Sequence, residues 1–221
     1  MEIAVTDDYG FGADAFLLAR FAAPRPGERV VDLGTGCGIL PLLFLQDPAV
    51  PWVSGLELQP QAVDLARSSL EHNGLSGRGE IRQGDWADPP FDRESFRLAV
   101  CNPPYFPSGG GKPSGSPAVD LARRERPGAL RQVTAAAARL LQYGGRFCLC
   151  HRPQRLADVL EALRGAGLEP KRLRPVQQRE GLAPWLVLLE ARKGGRPGLV
   201  WEAVWRMDDP ALQRLLYNKE Y

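Results

Sequence analysis

The chain has 221 residues, 44% of them hydrophobic, and a net charge of +2 at pH 7. That length and composition are ordinary for one globular domain with a sizeable core, and so weak a positive charge does not by itself predict nucleic-acid binding. The N-terminus lacks a secretory signal and no apolar run reaches about 18 residues, so we expect a cytoplasmic protein without a membrane span.

Runs typical of β-strands alternate with helical patterns along the chain, with no internal repeat and no linker between two cores. We therefore expect residues 1–221 to form one domain, with 1–27 as an N-terminal segment. Glycine-bounded apolar runs predict strands, and apolar residues spaced three and four apart predict helices. The predicted strands are 28–33, 51–58, 80–83, 96–101, 146–150, 168–176 and 185–192. The predicted helices are 38–46, 59–73, 128–143 and 153–166.

This order of elements predicts an α/β fold of the doubly wound, Rossmann-like kind. It would have a mostly parallel, seven-stranded sheet and a C-terminal antiparallel hairpin. Because crossovers between parallel strands are right-handed, the carboxyl ends of the strands should meet along one edge. The two loops that carry the most information both leave strands at that edge.

The first of these loops follows the first predicted strand and is rich in glycine. Glycines allow positive φ angles and let the backbone approach a ligand closely, and the next helix begins with free amide groups. Glu57 ends the second predicted strand, where an acidic side chain can accept hydrogen bonds from ribose hydroxyls. The candidate cofactor-binding residues here are Asp32, Gly34, Thr35, Gly36, Cys37, Gly38 and Glu57.

The spacing of the glycines indicates which nucleotide cofactor the loop binds. A phosphate-binding G-x-x-x-x-G-K-[ST] run is lacking, and the loop does not match the dinucleotide pattern G-x-G-x-x-G, so S-adenosylmethionine is favoured over ATP or NAD. After the third predicted strand, Asp85 could accept a hydrogen bond from an adenine amine while Trp86 or Leu58 flanks its ring. The alternatives are a solvated carboxylate at Glu57 and a simple turn aspartate at Asp85.

The second loop, Asn102, Pro103, Pro104 and Tyr105, follows the fourth predicted strand. Two prolines remove backbone donors and stiffen the chain, which leaves carbonyl acceptors and the Asn102 carboxamide exposed. Such a site can accept both hydrogens of a planar NH₂ group and stack its ring on Tyr105. These four residues are therefore the candidate catalytic residues, and the alternative is a rigid turn that only ends a strand.

A long irregular stretch, 106–127, follows directly and contains three consecutive glycines and several prolines. Loops of this length inside a compact domain are usually functional or disordered. A mobile substrate lid is the functional interpretation, and a disordered insertion is the alternative.

The four cysteines, Cys37, Cys101, Cys148 and Cys150, lie in or beside apolar runs and form no C-x-x-C pair. We expect reduced core cysteines. With only two histidines, far apart in the sequence, no metal site is expected.

At these residues the chain resembles class I S-adenosylmethionine-dependent methyltransferases with an Asn-Pro-Pro-Tyr motif, and most closely the bacterial tRNA (adenine-N6) methyltransferases that modify A37 of a valine tRNA. The similar stretches are 9–18, 31–43, 102–106 and 217–221. The resemblance implies that 9–18, including Asp14, lies over S-adenosylmethionine, that Asn102 contacts both cofactor and substrate, and that tRNA is the partner.

An RNA substrate requires a held base and positive charge near the site. Phe11, Tyr105 and Phe106 could hold an extruded base, and Lys112, Arg123 and Arg124 could bind the RNA backbone. A second basic cluster comprises Lys171, Arg172, Arg174 and Arg179. These arginines could instead form a solvated face.

Other functions stay open at this point. A glutamine carboxamide also offers a planar NH₂, so protein glutamine N5-methylation is one alternative, and rRNA guanine-N2 and DNA adenine-N6 methylation are others. A cofactor-binding scaffold for a partner methyltransferase is the non-enzyme alternative. The sequence does not indicate an oligomeric state.

Overall fold

The computed structural model describes residues 1–6, 9–103 and 128–217. The strands are β1 (Arg29–Leu33), β2 (Trp52–Glu57), β3 (Gly79–Gln83), β4 (Phe96–Cys101), β5 (Leu141–His151), β6 (Leu168–Gln177), β7 (Leu186–Lys193), β8 (Val200–Trp201) and β9 (Trp205–Arg206). The helices are α1 (Ala13–Ala22), α2 (Ile39–Leu45), α3 (Pro60–His72), α4 (Ala129–Leu140), α5 (Leu156–Gly165) and α6 (Pro210–Tyr217), with a 3₁₀ turn at Pro153–Arg155.

All described strands belong to one sheet in the order β3-β2-β1-β4-β5-β7-β6-β8, and β9 also pairs with β6. Strand β7 is antiparallel to both β5 and β6, and the other pairs are parallel. The predicted α/β fold, with its parallel sheet and C-terminal antiparallel hairpin, is confirmed. The edge beyond the seven predicted strands carries two further strands of two residues each, β8 and β9.

Helices cover both faces of the sheet. Residues of α1, α2, α3 and α6 share one hydrophobic cluster with Val30, Val100 and Cys150 of the strands. Residues of α4 and α5 share the other cluster with Val31, Cys101 and other strand residues. Because side chains alternate along a strand, Asp32 and Asn102 belong to the face that α1 and α2 cover.

Two predicted boundaries were wrong. The helix predicted over 128–143 ends at Leu140, and Leu141 begins β5, which is longer than the predicted strand. Gly144 and Gly145 lie inside β5 near a register irregularity with β4. Gly144 has a φ of +77°, which glycine adopts without steric cost.

Candidate active site

Strands β1 and β4 lie side by side at the point where the chain changes direction across the sheet. Their register pairs Asp32 with Val100, so the backbone after Leu33 and the backbone after Cys101 leave the sheet next to each other. Strand β2, which ends at Glu57, flanks β1 on its other side. The predicted common edge is therefore confirmed, and in open α/β sheets such a switch point is where ligands bind.

The glycine loop after β1 depends on positive φ angles. Gly34, Gly36 and Gly38 have φ of +91°, +55° and +87°. The amides of Gly34 and Thr35 both donate to the Leu56 carbonyl, at 2.8 and 3.0 Å, which holds the loop against β2. A Cβ atom at Gly38 would lie 3.1 Å from Ala66, whereas one at Gly36 would meet open space. Gly36 is thus the position where a ligand can approach the loop backbone.

The Glu57 carboxylate joins two loops. Its Oε2 accepts a hydrogen bond from the Gly36 amide at 2.9 Å, and its Oε1 accepts from the Leu58 and Gln59 amides at 2.8 and 2.9 Å. A carboxylate has about four acceptor sites, so these three bonds leave about one for a ligand. If both ribose hydroxyls bind here as predicted, one of the backbone bonds must be shared or released.

Asp32 lies beneath the same loop and is completely buried. Neither of its carboxyl oxygens, nor the Thr35 hydroxyl, has a hydrogen-bond partner in the part of the chain that the structure describes. Burial raises the pKa of Asp32 from 3.8 to about 7, and the Glu57 charge adds to the rise. Buried acceptors without partners are costly, so their presence here fits a site that a polar ligand completes.

Asp32 should make the stability of the ligand-free protein depend on pH. Its folded pKa lies above its unfolded value, so the folded state loses stability as pH rises from about 4 to about 7. The rise from 3.8 to about 7 corresponds to roughly 4 kcal/mol at higher pH. Asp32→Asn should therefore gain stability relative to the wild type across this range in urea unfolding. Substitution of the exposed Asp64 by Asn is the control. Parallel plots of the free energy of unfolding against pH for the wild type and Asp32→Asn would contradict the expectation.

The turn after β3 reaches the glycine loop through an aromatic ring. A Cβ atom at Gly34 would lie 3.2 Å from the Trp86 ring, so the indole packs against this glycine. Asp85 Oδ1 accepts a hydrogen bond from the Ala87 amide at 3.0 Å, as in an ordinary turn. Leu58, which follows Glu57 in the sequence, is exposed. The structure thus brings Trp86 to the loop, and a role of Asp85 toward adenine stays a prediction.

The N-terminal segment packs over this edge from the side of α1. The Tyr9 hydroxyl donates to Gln59 Oε1 at 2.9 Å, which links the segment to the loop after β2. Phe11 is exposed and makes an edge contact with Phe16, with ring centroids 5.8 Å apart. Asp14 lies in the first turn of α1, where its Oδ1 accepts from the Ala15 amide. Tyr9 and Gln59 were not among the predicted site residues.

Asn102 leaves β4 half-buried, and Pro103 after it is buried. The Asn102 Oδ1 atom accepts a hydrogen bond from the Cys150 thiol at 3.1 Å. Sequence reasoning assigned Cys150 only to the core. The expected free and buried state of Cys37, Cys101, Cys148 and Cys150 is confirmed.

Several predicted residues lie outside the described part of the chain. They are Pro104, Tyr105, Phe106, Lys112, Arg123, Arg124, the whole of 106–127, and 218–221 at the C-terminus. Their assigned roles stay predictions. Among the described residues, no group of three or more His, Cys, Asp or Glu could hold a metal ion, and no helix there is long and apolar enough to cross a membrane.

The second basic cluster is largely engaged within the protein. Arg172 pairs with Glu190 at 2.8 Å and with Glu202 at 2.6 Å, and Arg174 pairs with the same Glu202. The Arg172 guanidinium also lies over the Phe21 ring and that of Arg174 over the Trp205 ring, each 4.5 Å from the ring centroid. Arg172 and Arg174 therefore anchor the β8 segment to β6, and the interpretation of them as a free RNA-binding face is not supported.

The comparisons with known proteins agree with this geometry. Residues 9–114 match the family described as "Methyltransferase small domain". A crystal structure described as a predicted O-methyltransferase from Agrobacterium tumefaciens has the same fold, with a TM-score of 0.74 at 23% identity over 91% of this chain and 94% of that one. The fold and the glycine loop together define a class I S-adenosylmethionine-dependent methyltransferase.

Two relatives indicate to which family of methyltransferases the chain belongs. The tRNA1(Val) (adenine(37)-N6)-methyltransferase of Tolumonas auensis is 34% identical over 183 residues, which cover 80% of this chain and 74% of that protein. The protein of the same description from Porphyromonas gingivalis is 31% identical over 156 residues, or 67% of this chain and 60% of that protein. The chain belongs to the tRNA1(Val) (adenine(37)-N6)-methyltransferase family.

Proposed function

We propose that this protein methylates the N6 amine of an adenosine in tRNA, with S-adenosylmethionine as methyl donor. The observation that carries the proposal is the position of Asn102, which leaves β4 directly beside the glycine loop that leaves β1. The family to which the chain belongs acts on such an amine, and tRNA1(Val), for which the relatives are named, is the first substrate to test.

The residues at the edge of the sheet suit the cofactor. Gly36 offers an open approach to the loop backbone, Glu57 retains acceptor capacity, and Asp32 and Thr35 supply buried polar atoms without partners. When bound, S-adenosylmethionine supplies an electrophilic methyl group on a sulfonium. We propose that Trp86, Leu58, Asp85 and Asp14 complete its binding site.

Asn102 and Pro103 are assigned to the amine. The lone pair of an exocyclic amine is delocalised into the ring, which makes the nitrogen a poor nucleophile. Hydrogen bonds from its two N–H groups to Asn102 Oδ1 and the Pro103 carbonyl favour a pyramidal nitrogen and localise the lone pair. Alignment of an already activated methyl group then contributes several kcal/mol, without a strong general base, and the proton leaves to water.

The remaining predicted residues are assigned to the RNA. Tyr105, Phe106 and Phe11 would stack on an adenine that has left its own stack, since a stacked base cannot reach the site. Lys112, Arg123 and Arg124 would neutralise phosphates, so binding should weaken with salt. A tRNA substrate also places the protein in the cytoplasm, which is part of the proposal.

The deciding experiment compares modified nucleosides in tRNA from cells with and without the protein, by mass spectrometry. Loss of N6-methyladenosine from one tRNA, restored by the wild-type protein and not by Asn102→Ala, is the expected result. Unchanged methyladenosine in all tRNA would reject tRNA as the substrate. Incubation of purified protein with labelled cofactor and a protein glutamine, rRNA or DNA acceptor then separates the alternatives.

A further inference from the structure

We propose that Cys150 is a positioning residue that holds the Asn102 carboxamide in its productive orientation. This inference rests on the proposed function, because it concerns the amide oxygen assigned to the target amine. It assigns a role in the active site to a buried cysteine that the sequence placed only in the hydrophobic core.

The neighbouring strands bring the two residues together. Strands β4 and β5 are parallel, and their register pairs Val100 with Cys148 and Cys101 with Leu149. The next pair in that register is Asn102 with Cys150. The Cys150 side chain is completely buried, and its Sγ lies 3.1 Å from Asn102 Oδ1. A thiol is a weak donor, but here it lies on a rigid strand at hydrogen-bonding distance from the carboxamide.

The thiol distinguishes the two ends of the carboxamide. An amide oxygen has two acceptor sites, so Oδ1 can accept from the Cys150 S–H and still accept from a substrate amine. If the carboxamide rotated by half a turn, the S–H···Oδ1 bond would be replaced by a contact from its NH₂ group to the sulfur, which is only a weak acceptor, and the NH₂ group would face the hydrogens of the target amine. The S–H···Oδ1 bond is therefore made only in the orientation that presents the amide oxygen to the substrate.

The proline that follows Asn102 restricts the backbone at this position. Pro103 restricts the backbone of Asn102 to extended conformations, which leaves the side-chain torsions as the main freedom of the carboxamide. Cys150 acts on those torsions, and it does so from a strand whose position is fixed by pairing with both β4 and β7.

Two substitutions separate positioning from packing. Cys150→Ala removes the donor, and Cys150→Ser replaces it with a hydroxyl donor. A hydroxyl in an apolar environment is unfavourable, so stability should fall at least as far in Cys150→Ser as in Cys150→Ala. Activity should follow the opposite order: Cys150→Ala should lower the single-turnover methyl-transfer rate about five- to tenfold, while Cys150→Ser stays near the wild type.

The matched control is Cys148, which lies two residues earlier on the same face of β5 and is equally buried. Cys148→Ala and Cys148→Ser should change thermal stability without changing the transfer rate at saturating cofactor. The Kd for S-adenosylmethionine, measured by calorimetry, should be unchanged in both Cys150 variants. Equal transfer rates in Cys150→Ala and Cys150→Ser, whether normal or lowered together, would overturn the inference.

A readout that needs no substrate keeps the inference separate from the proposed function. The side-chain NH₂ resonances of Asn102 in ¹⁵N NMR should shift and broaden in Cys150→Ala. In Cys150→Ser they should keep the chemical shifts and line widths of the wild type. If the wild type methylates no tRNA, the proposed function fails, and these resonances alone decide the positioning role. Resonances that are the same in the wild type and both variants would reject it even in an active enzyme.

Discussion

Asn102→Ala is expected to lower kcat for methyl transfer to tRNA on the order of 10²-fold, the loss found when one preorganised hydrogen-bonding group is removed from an active site. The Kd for S-adenosylmethionine should change little, because the described contacts that shape the cofactor loop involve Glu57 and the glycines rather than Asn102. Single-turnover rates at saturating cofactor, together with calorimetric binding of the cofactor, measure the two effects separately.

Asn102→Asp tests the reason for this loss. The aspartate has the same shape and presents only acceptors, so it can still accept a hydrogen bond from the amine and from the Cys150 thiol. It should retain more activity than Asn102→Ala. If both variants lose cofactor affinity in proportion to their rates, Asn102 acts through the cofactor, and the assigned role toward the amine is wrong.

The alternation of strand and helix patterns was enough to predict the sheet and the edge that carries the site. Parallel strands of one sheet all end at the same edge, so the carboxyl ends of β1, β2 and β4 had to lie along one edge wherever the strands were placed in the sheet. The positions of Glu57 and Asn102 at one edge follow from that rule alone, before any side-chain contact is known.

Helix α1 was not predicted as a helix because its stability comes from tertiary packing. Leu17, Leu18 and Phe21 are almost completely buried against the sheet and α2, and short helices depend on such contacts more than on intrinsic propensity. The strands β8 and β9 have only two residues each, and the pairing of Arg172 with Glu202 joins parts of the chain 30 residues apart. Periodicity along the sequence carries no signal for contacts of this kind.

The details of the site depend on the path of the backbone through the loops. The turn at Gly34, Gly36 and Gly38 places the backbone so that Glu57 accepts three amide hydrogens. The same path of the backbone leaves the Asp32 carboxylate without a hydrogen-bond partner among the described residues. The Cys150 contact needs the spatial order of the strands, since β4 and β5 are about forty residues apart in sequence and adjacent in the sheet.

Glu57→Gln should weaken cofactor binding before it affects the methyl-transfer step. The substitution removes the negative charge and turns one carboxylate oxygen into an NH₂ group, which faces backbone amides of Gly36 or of Leu58 and Gln59 as donor against donor. The loops after β1 and β2 then lose the group that joins them. We expect the Kd for S-adenosylmethionine to rise about 10- to 100-fold, since bonds to a charged acceptor contribute about 1.5–3 kcal/mol each.

The control for Glu57→Gln is Glu80→Gln on the neighbouring strand β3. Glu80 is also partly buried and accepts a hydrogen bond from the Ser54 hydroxyl at 3.1 Å, but it does not join the cofactor loops. Its substitution should leave the Kd unchanged. At saturating cofactor, Glu57→Gln should recover most of the wild-type kcat, the opposite of Asn102→Ala. A kcat that stays low at saturation would mean that Glu57 shapes the methyl-transfer step itself, and the separation of cofactor and amine roles across β2 and β4 would fail.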